Sequence, residues 1–181
     1  MSNTFYSDSY LDLIRKVHSK KPWGEMGGKL HMIVVNLCNR FGYKEILDYG
    51  SGHGSLVKAF REKNIDIEVT EYDPGIESKS TLPNPSRFVV CIDVLEHIEE
   101  EYVDNVLDDI KRCVLDKGWL AIDMEEAGRM LPDGRNAHIT IKPFDWWLSK
   151  LEDRFDILES VNYELKPKSL KRGSFLIERK K

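Results

Sequence analysis

Ile46-Leu47-Asp48-Tyr49-Gly50-Ser51-Gly52-His53-Gly54 decides how this chain is read: an apolar strand pattern runs straight into three glycines at alternate positions, and a helical pattern follows. Glycine adopts backbone conformations closed to other residues and leaves room beside the main chain, so such a turn lets the backbone pass close to a nucleotide. Asp73 stands 25 residues after Asp48, at the end of the next strand pattern. A carboxylate there can accept from both hydroxyls of a ribose. Together these features predict a site for a nucleoside-bearing cofactor.

Working outward, strand and helix patterns alternate: strand 44–49, helix 54–63, strand 66–72, strand 87–93, helix 101–115, strand 118–124 and helix 143–152. Strands 155–164 and 173–179 close the chain as an antiparallel pair. The central strands are near-continuous apolar runs, which marks an α/β fold with a mostly parallel sheet covered on both faces. Ahead of them, Tyr10, Leu11, Leu13, Ile14 and Val17 recur at helical spacing. Leu30, Ile33, Val34, Leu37, Cys38 and Phe41 do so again after a break read at Gly27-Gly28. The expected organisation is one domain over 1–181, with helices in 1–42 capping a core at 43–181. One connection is short: thirteen residues, Pro74 to Ser86, with prolines at 74, 83 and 85. A helix, a strand and a second helix do not fit there, so the sheet is expected to lack one outer strand.

The chain has 181 residues, 41% of them apolar. That suffices for one globular unit burying roughly 70% of its unfolded surface. No apolar run approaches the roughly 20 residues of a membrane-spanning helix, and residues 1–10 carry no signal pattern. The expectation is a soluble cytoplasmic protein with no membrane partner. Cys38, Cys91 and Cys113 are odd in number, far apart and in apolar surroundings, as core thiols are. The net charge of -4 gives no overall attraction to nucleic acid. Residues 164–181 nevertheless hold seven Lys or Arg, including Lys166, Lys168, Lys171 and Arg172. They read as a solvated terminal hairpin, with phosphate contact as the alternative.

Gly50-x-Gly52-x-Gly54 is neither the dinucleotide fingerprint nor a phosphate loop. With Asp48 ahead of it and Asp73 beyond, the stretch Leu47 to Gly54 resembles the first motif of the class I S-adenosylmethionine-dependent methyltransferases. The likeness continues through Val69-Thr70-Glu71-Tyr72-Asp73-Pro74, through Val90 to Ile98, and around Trp119-Leu120-Ala121-Ile122. The resemblance implies a Rossmann-like fold with strand order 2-1-4-5-7-6 in family terms, lacking the usual third strand, and S-adenosyl-L-methionine as cofactor. It further implies that Asp48, Tyr49 and the Gly50, Ser51, Gly52 and Gly54 backbone line the methionine end, that Asp73 takes the ribose, and that Asp93 and Val94 lie beside the methyl group. The family's acidic adenine contact falls in the missing segment, for which Leu95 or the 82–86 loop is the expected substitute. Trp23, in the loop Lys21 to Gly28, is expected to fold over the cofactor, the plain alternative being a helix-to-helix turn.

For catalysis, His138 stands in the long connection 125–142, within Asp133-Gly134-Arg135-Asn136-Ala137-His138. Imidazole is the side chain suited to taking a proton near neutral pH. Asp93-x-x-Glu96-His97 with His138 also looks like the metal constellation of the small-RNA 3′-end 2′-O-methyltransferases, which carry Glu in place of Asp93. Metal-free family members share Asp-Val-Leu-Glu-His, where Glu96 and His97 simply open a helix. Of Trp146 and Trp147, one is expected in the core and the other as a substrate wall. The expected acceptor is a small molecule. An RNA-directed 2′-O enzyme and a non-catalytic cofactor-binding module are the alternatives.

Overall fold

A computed structural model describes residues 5–20, 24–164 and 171–180 of the chain. Trp23 and the basic residues Lys166 and Lys168 lie outside the described residues. Two helices, α1 (Asp8–Lys20) and α2 (Met26–Phe41), precede β1 (Glu45–Tyr49) and α3 (Ser55–Glu62). Then come β2 (Glu68–Tyr72), β3 (Ser86–Ile92), α4 (Val103–Cys113), β4 (Val114–Asp123), α5 (Phe144–Glu152), β5 (Phe155–Glu164) and β6 (Lys171–Arg179). They form a six-stranded sheet of order β2-β1-β3-β4-β6-β5. The first four strands are parallel, and β6 pairs antiparallel with both β4 and β5. This is the Rossmann-like order expected, with one strand missing between β2 and β3 in the chain.

The period of two in the strands sorts their side chains onto two faces. Ile46, Phe88, Val90 and Trp119 pack under α2 and α3 with Val34, Cys38, Leu56 and Phe60. Leu47, Val89, Cys91 and Leu120 face α4 and α5, meeting Val106, Leu107, Ile110, Trp147 and Leu151. All three cysteines are buried and free. No described helix is long and apolar enough to cross a membrane.

Two departures from the sequence reading exceed shifts of one or two residues at element ends. Gly27 and Gly28 do not break the chain but sit in the first turn of α2, because that turn packs directly on α3: the Gly28 N–H donates to Ser55 Oγ at 3.0 Å. β4 begins four residues earlier than expected, since Ser86 at the start of β3 pairs with Val114 directly after α4. The thirteen-residue connection folds back as a short turn, Glu77–Lys79. The Asp73 N–H donates to Lys79 O at 3.0 Å, so the segment closes against the end of β2 rather than leaving it.

Candidate active site

The glycine turn leaves the C-terminal end of β1 in the left-handed region, with φ of 80° at Gly50, 51° at Gly52 and 77° at Gly54. A Cβ at Gly50 would lie 2.3 Å from Val94 Cγ2, so the turn and the bend after β3 approach as closely as bare backbone permits. Asp93 in that bend is itself left-handed, φ 52°, an unusual state for a residue with a side chain. Asp73 ties the turn down: its Oδ2 accepts from the Gly52 N–H at 2.8 Å and its Oδ1 from the Gly75 N–H at 2.9 Å.

A cavity of about 110 Å³ opens here, lined by Gly50, Gly52, Asp73, Asp93 and Val94 among others. Those five of the sequence-derived cofactor residues come together. The other described ones stand back from the cavity. Asp48 is buried, and burial, with Glu71 and Asp73 adding and Lys79 opposing, pushes its carboxyl up to about 7. Tyr49 turns its ring into the core and donates to Asp109 Oδ2 at 2.8 Å, leaving only its backbone near the turn. Ser51 is buried and Gly54 faces Glu71. Leu95, expected at the adenine, is a core residue packed on the α4 side of the sheet, because the short helical turn Leu95–His97 rotates it inward. Leu82 is exposed, and none of the 82–86 loop lines the cavity. Gly24, next to the undescribed Trp23, does line it.

A second cavity of about 370 Å³ shares Gly24, Asp93 and His97 with the first and extends to Asp123, Glu126, Arg129 and His138. Its wall is the connection 125–142, held by Asn136: the Ala127 and His138 N–H groups both donate to Asn136 Oδ1 at 2.9 Å. His138 Nδ1 lies 2.6 Å from Glu125 O and His97 Nδ1 lies 2.7 Å from Ala137 O. A carbonyl only accepts, so each Nδ1 carries the proton and each Nε2 is the basic nitrogen. The two rings meet edge to face at 4.8 Å. Burial, followed by neighbouring His138, lowers His97 to about 4, so it is neutral at physiological pH. Glu96 is fully buried, which raises its carboxyl well above the usual range; Oε1 accepts from the Asp123 N–H at 3.0 Å and Oε2 has no hydrogen-bond partner among the described residues. Ligand atoms of Glu96, His97 and His138 lie within 4.8 Å of one another.

Two residues missed by the sequence reading complete the site. Lys79, from the short connection, donates to Gly52 O at 2.7 Å and to Glu71 Oε1 at 2.9 Å, clamping the glycine turn. Arg172 is not part of a solvated hairpin: it is buried, and its Nη2 donates to Asp93 Oδ2 at 2.9 Å and Asp123 Oδ2 at 3.3 Å. Burial raises Asp93 to about 6 against the opposing pull of Arg172. In the sequence, Lys79 and Arg172 carry no local signal beyond their charge. Trp147 is in the core as expected, but Trp146 packs between Lys142 and Lys150 and lines neither cavity.

A family model described as a methyltransferase domain matches residues 23–154, more than half of the chain. The chain belongs to this methyltransferase family. No curated protein matches the sequence. Among solved structures the enzyme is similar in fold to 1,6-didemethyltoxoflavin-N1-methyltransferase of Burkholderia thailandensis, with bound 1,6-didemethyltoxoflavin and S-adenosylhomocysteine. The two share 17% identity over 87% of this chain and 80% of that one, at a TM-score of 0.61. Magnesium protoporphyrin IX methyltransferase from Synechocystis PCC 6803, with bound S-adenosylmethionine, is similar at 14% identity, covering 97% of this chain and 93% of its own, TM-score 0.59. The methyltransferase domain of bacterial CtHen1 is similar at 12% identity over 82% and 96%, TM-score 0.60.

The methyltransferase takes S-adenosylmethionine as its cofactor, and the groups lining the first cavity suit that molecule. The two turn residues that line it, Gly50 and Gly52, have no side chain to obstruct a ligand. Each Asp73 oxygen uses one lone pair on a backbone N–H, and a carboxylate has acceptor sites left for two hydroxyls.

Proposed function

We propose that this methyltransferase acts on a small molecule with a proton-bearing oxygen or nitrogen, held in the 370 Å³ cavity. The observation that carries this reading is the sharing of Gly24, Asp93 and His97 between the two cavities, which puts an acceptor-sized space next to the cofactor space. The volume lies within the roughly 300–1,000 Å³ of small-ligand pockets. Gly50 and Gly52 cradle the cofactor, Asp73 holds its ribose hydroxyls, and Asp93 and Val94 flank the transfer point. S-adenosylmethionine supplies a methyl group already activated on sulfonium. The chain's residues therefore position the acceptor, exclude water and remove a proton. His138 Nε2 is the basic nitrogen for that proton, oriented by its Nδ1 bond to Glu125 O.

Charge favours a small acceptor over RNA. The cavity carries Glu25, Asp93, Asp123 and Glu126 against Lys29 and Arg129. Of the described basic hairpin residues, Arg172 is ion-paired, Arg179 donates to Val114 O at 3.2 Å and Lys180 donates to Glu152 O, which leaves Lys171 exposed. The test uses S-adenosylmethionine with an isotopically labelled methyl, offered to a cell extract separated into metabolites and RNA. Label is expected among metabolites, with His138→Gln slowing transfer by about 100-fold or more. Label confined to RNA would refute the reading.

A second reading follows from the Glu96, His97 and His138 cluster, in which the unpartnered Glu96 Oε2 and two oriented imidazoles make a set suited to a divalent cation. There His138 Nε2 is a ligand instead of a base, and the cation would grip an acceptor diol, as on an RNA 3′ end. Mn2+ binding followed by paramagnetic resonance, lost in Glu96→Gln, together with chelator-sensitive transfer to RNA, would favour it. Chelator-resistant transfer would remove it.

A further inference from the structure

Four side chains on the lining of the cofactor cavity, Tyr10, Leu11, Ile14 and His18, come from α1. The helix rests on the segment that replaces the lost strand. A Cβ on Gly75 would lie 2.8 Å from Ile14 Cγ2 and 2.9 Å from His18 Cδ2, so α1 contacts the backbone just after Asp73. It is anchored elsewhere as well. The Tyr10 hydroxyl donates to His97 O, and the Ser7 N–H and Oγ donate to the Glu99 carboxylate at 2.8 and 2.9 Å. Among the described residues, the carboxylates on this lining are Asp73 and Asp93. Asp73 is tied to the glycine turn by Gly52 and Gly75, and its remaining acceptor sites go to the ribose; Asp93 binds Arg172 where the two cavities join.

We propose that α1 is the base-binding wall of the enzyme. Leu11 and Ile14, with Pro74 and Ile98, hold the adenine of S-adenosylmethionine by apolar contact, and no carboxylate reads its 6-amino group. The proposal rests on the cofactor reading above and goes beyond it by naming what replaces the segment lost with the missing strand. An aliphatic wall rewards burial of a flat ring whatever its 6-substituent. A site built to hydrogen-bond that substituent rejects an analogue lacking it by about 10⁴-fold or more. The cavity of about 110 Å³ is smaller than the roughly 300 Å³ at which ligand pockets begin. α1 therefore shifts to admit the cofactor and closes again on the base.

Three measurements on the full chain test this. Calorimetry with S-adenosylhomocysteine on the unaltered protein comes first; absence of binding would remove the cofactor reading itself and this proposal with it. Given binding, S-inosylhomocysteine, which has oxygen in place of the 6-amino group, is expected to bind within about tenfold, whereas a larger loss means a polar group reads the base and overturns the proposal. Ile14→Asp and Leu11→Asp are each expected to weaken S-adenosylhomocysteine binding by about tenfold or more; unchanged affinity in both overturns it. Hydrogen exchange needs no variant: α1 amides are expected to slow when S-adenosylhomocysteine is added, and α1 exchange indifferent to the ligand is the contrary result.

Discussion

Asp48→Asn is expected to stabilise the methyltransferase at neutral and mildly alkaline pH while leaving it little changed in acid. Asp48 is buried in β1 one residue before its end, and burial and Glu71, opposed by Lys79 and aided by Asp73, move its carboxyl from 3.8 to about 7. The folded chain thus holds this proton more tightly than the unfolded chain does. Below about pH 4 both states are protonated and nothing is lost. Between about pH 4 and 7 the folded state binds more protons, so stability falls as pH rises, and above about 7 the full penalty of a buried anion is present. About three powers of ten in proton affinity, at about 1.4 kcal/mol each, set a ceiling of about 4 kcal/mol. Asparagine keeps the shape and cannot ionise, so its other effects on packing are constant with pH. Urea unfolding of both proteins at several settings between about pH 4.5 and about pH 8.5 reads the difference directly. The stability gap between the Asp48→Asn variant and its parent should widen in the variant's favour by more than about 1 kcal/mol across that range. A gap that stays flat, or narrows, would refute the assignment of a raised Asp48.

Two further outcomes follow from close contacts. Gly50→Ala combines a φ of 80° with a Cβ 2.3 Å from Val94 Cγ2, so a loss of about 2 kcal/mol or more is expected in urea unfolding, together with loss of S-adenosylhomocysteine binding. Adding Val94→Ala should recover the steric part and leave the backbone part; full recovery would mean the left-handed turn costs nothing. Arg172→Met leaves Asp93 and Asp123 side by side without their guanidinium, and breaking such a buried pair costs about 3–5 kcal/mol. A midpoint within error of the parent would show that Arg172 carries no such burden.

Reading the chain alone was enough for the order of the elements and for the cofactor. Asp73 and Gly50 are adjacent to strand ends in the chain, and a strand's period of two with a glycine at its exit fixes where those groups emerge. The missing strand was legible too, because thirteen residues cannot span two helices and a strand. Tertiary structure alone decided the rest. Arg172 looks like one charge in a basic tail until β6 pairs with β4 and brings it beside Asp123, a juxtaposition set by sheet register. Lys79 reaches the glycine turn, and α1 reaches Gly75, only because the short connection folds back on β2. Leu95 shows the converse: its motif is recognisable, but one short helical turn sends the side chain to the core. Local periodicity records which face a residue prefers. Which distant residue it meets there depends on the packing of the whole sheet, and no window of sequence contains that information.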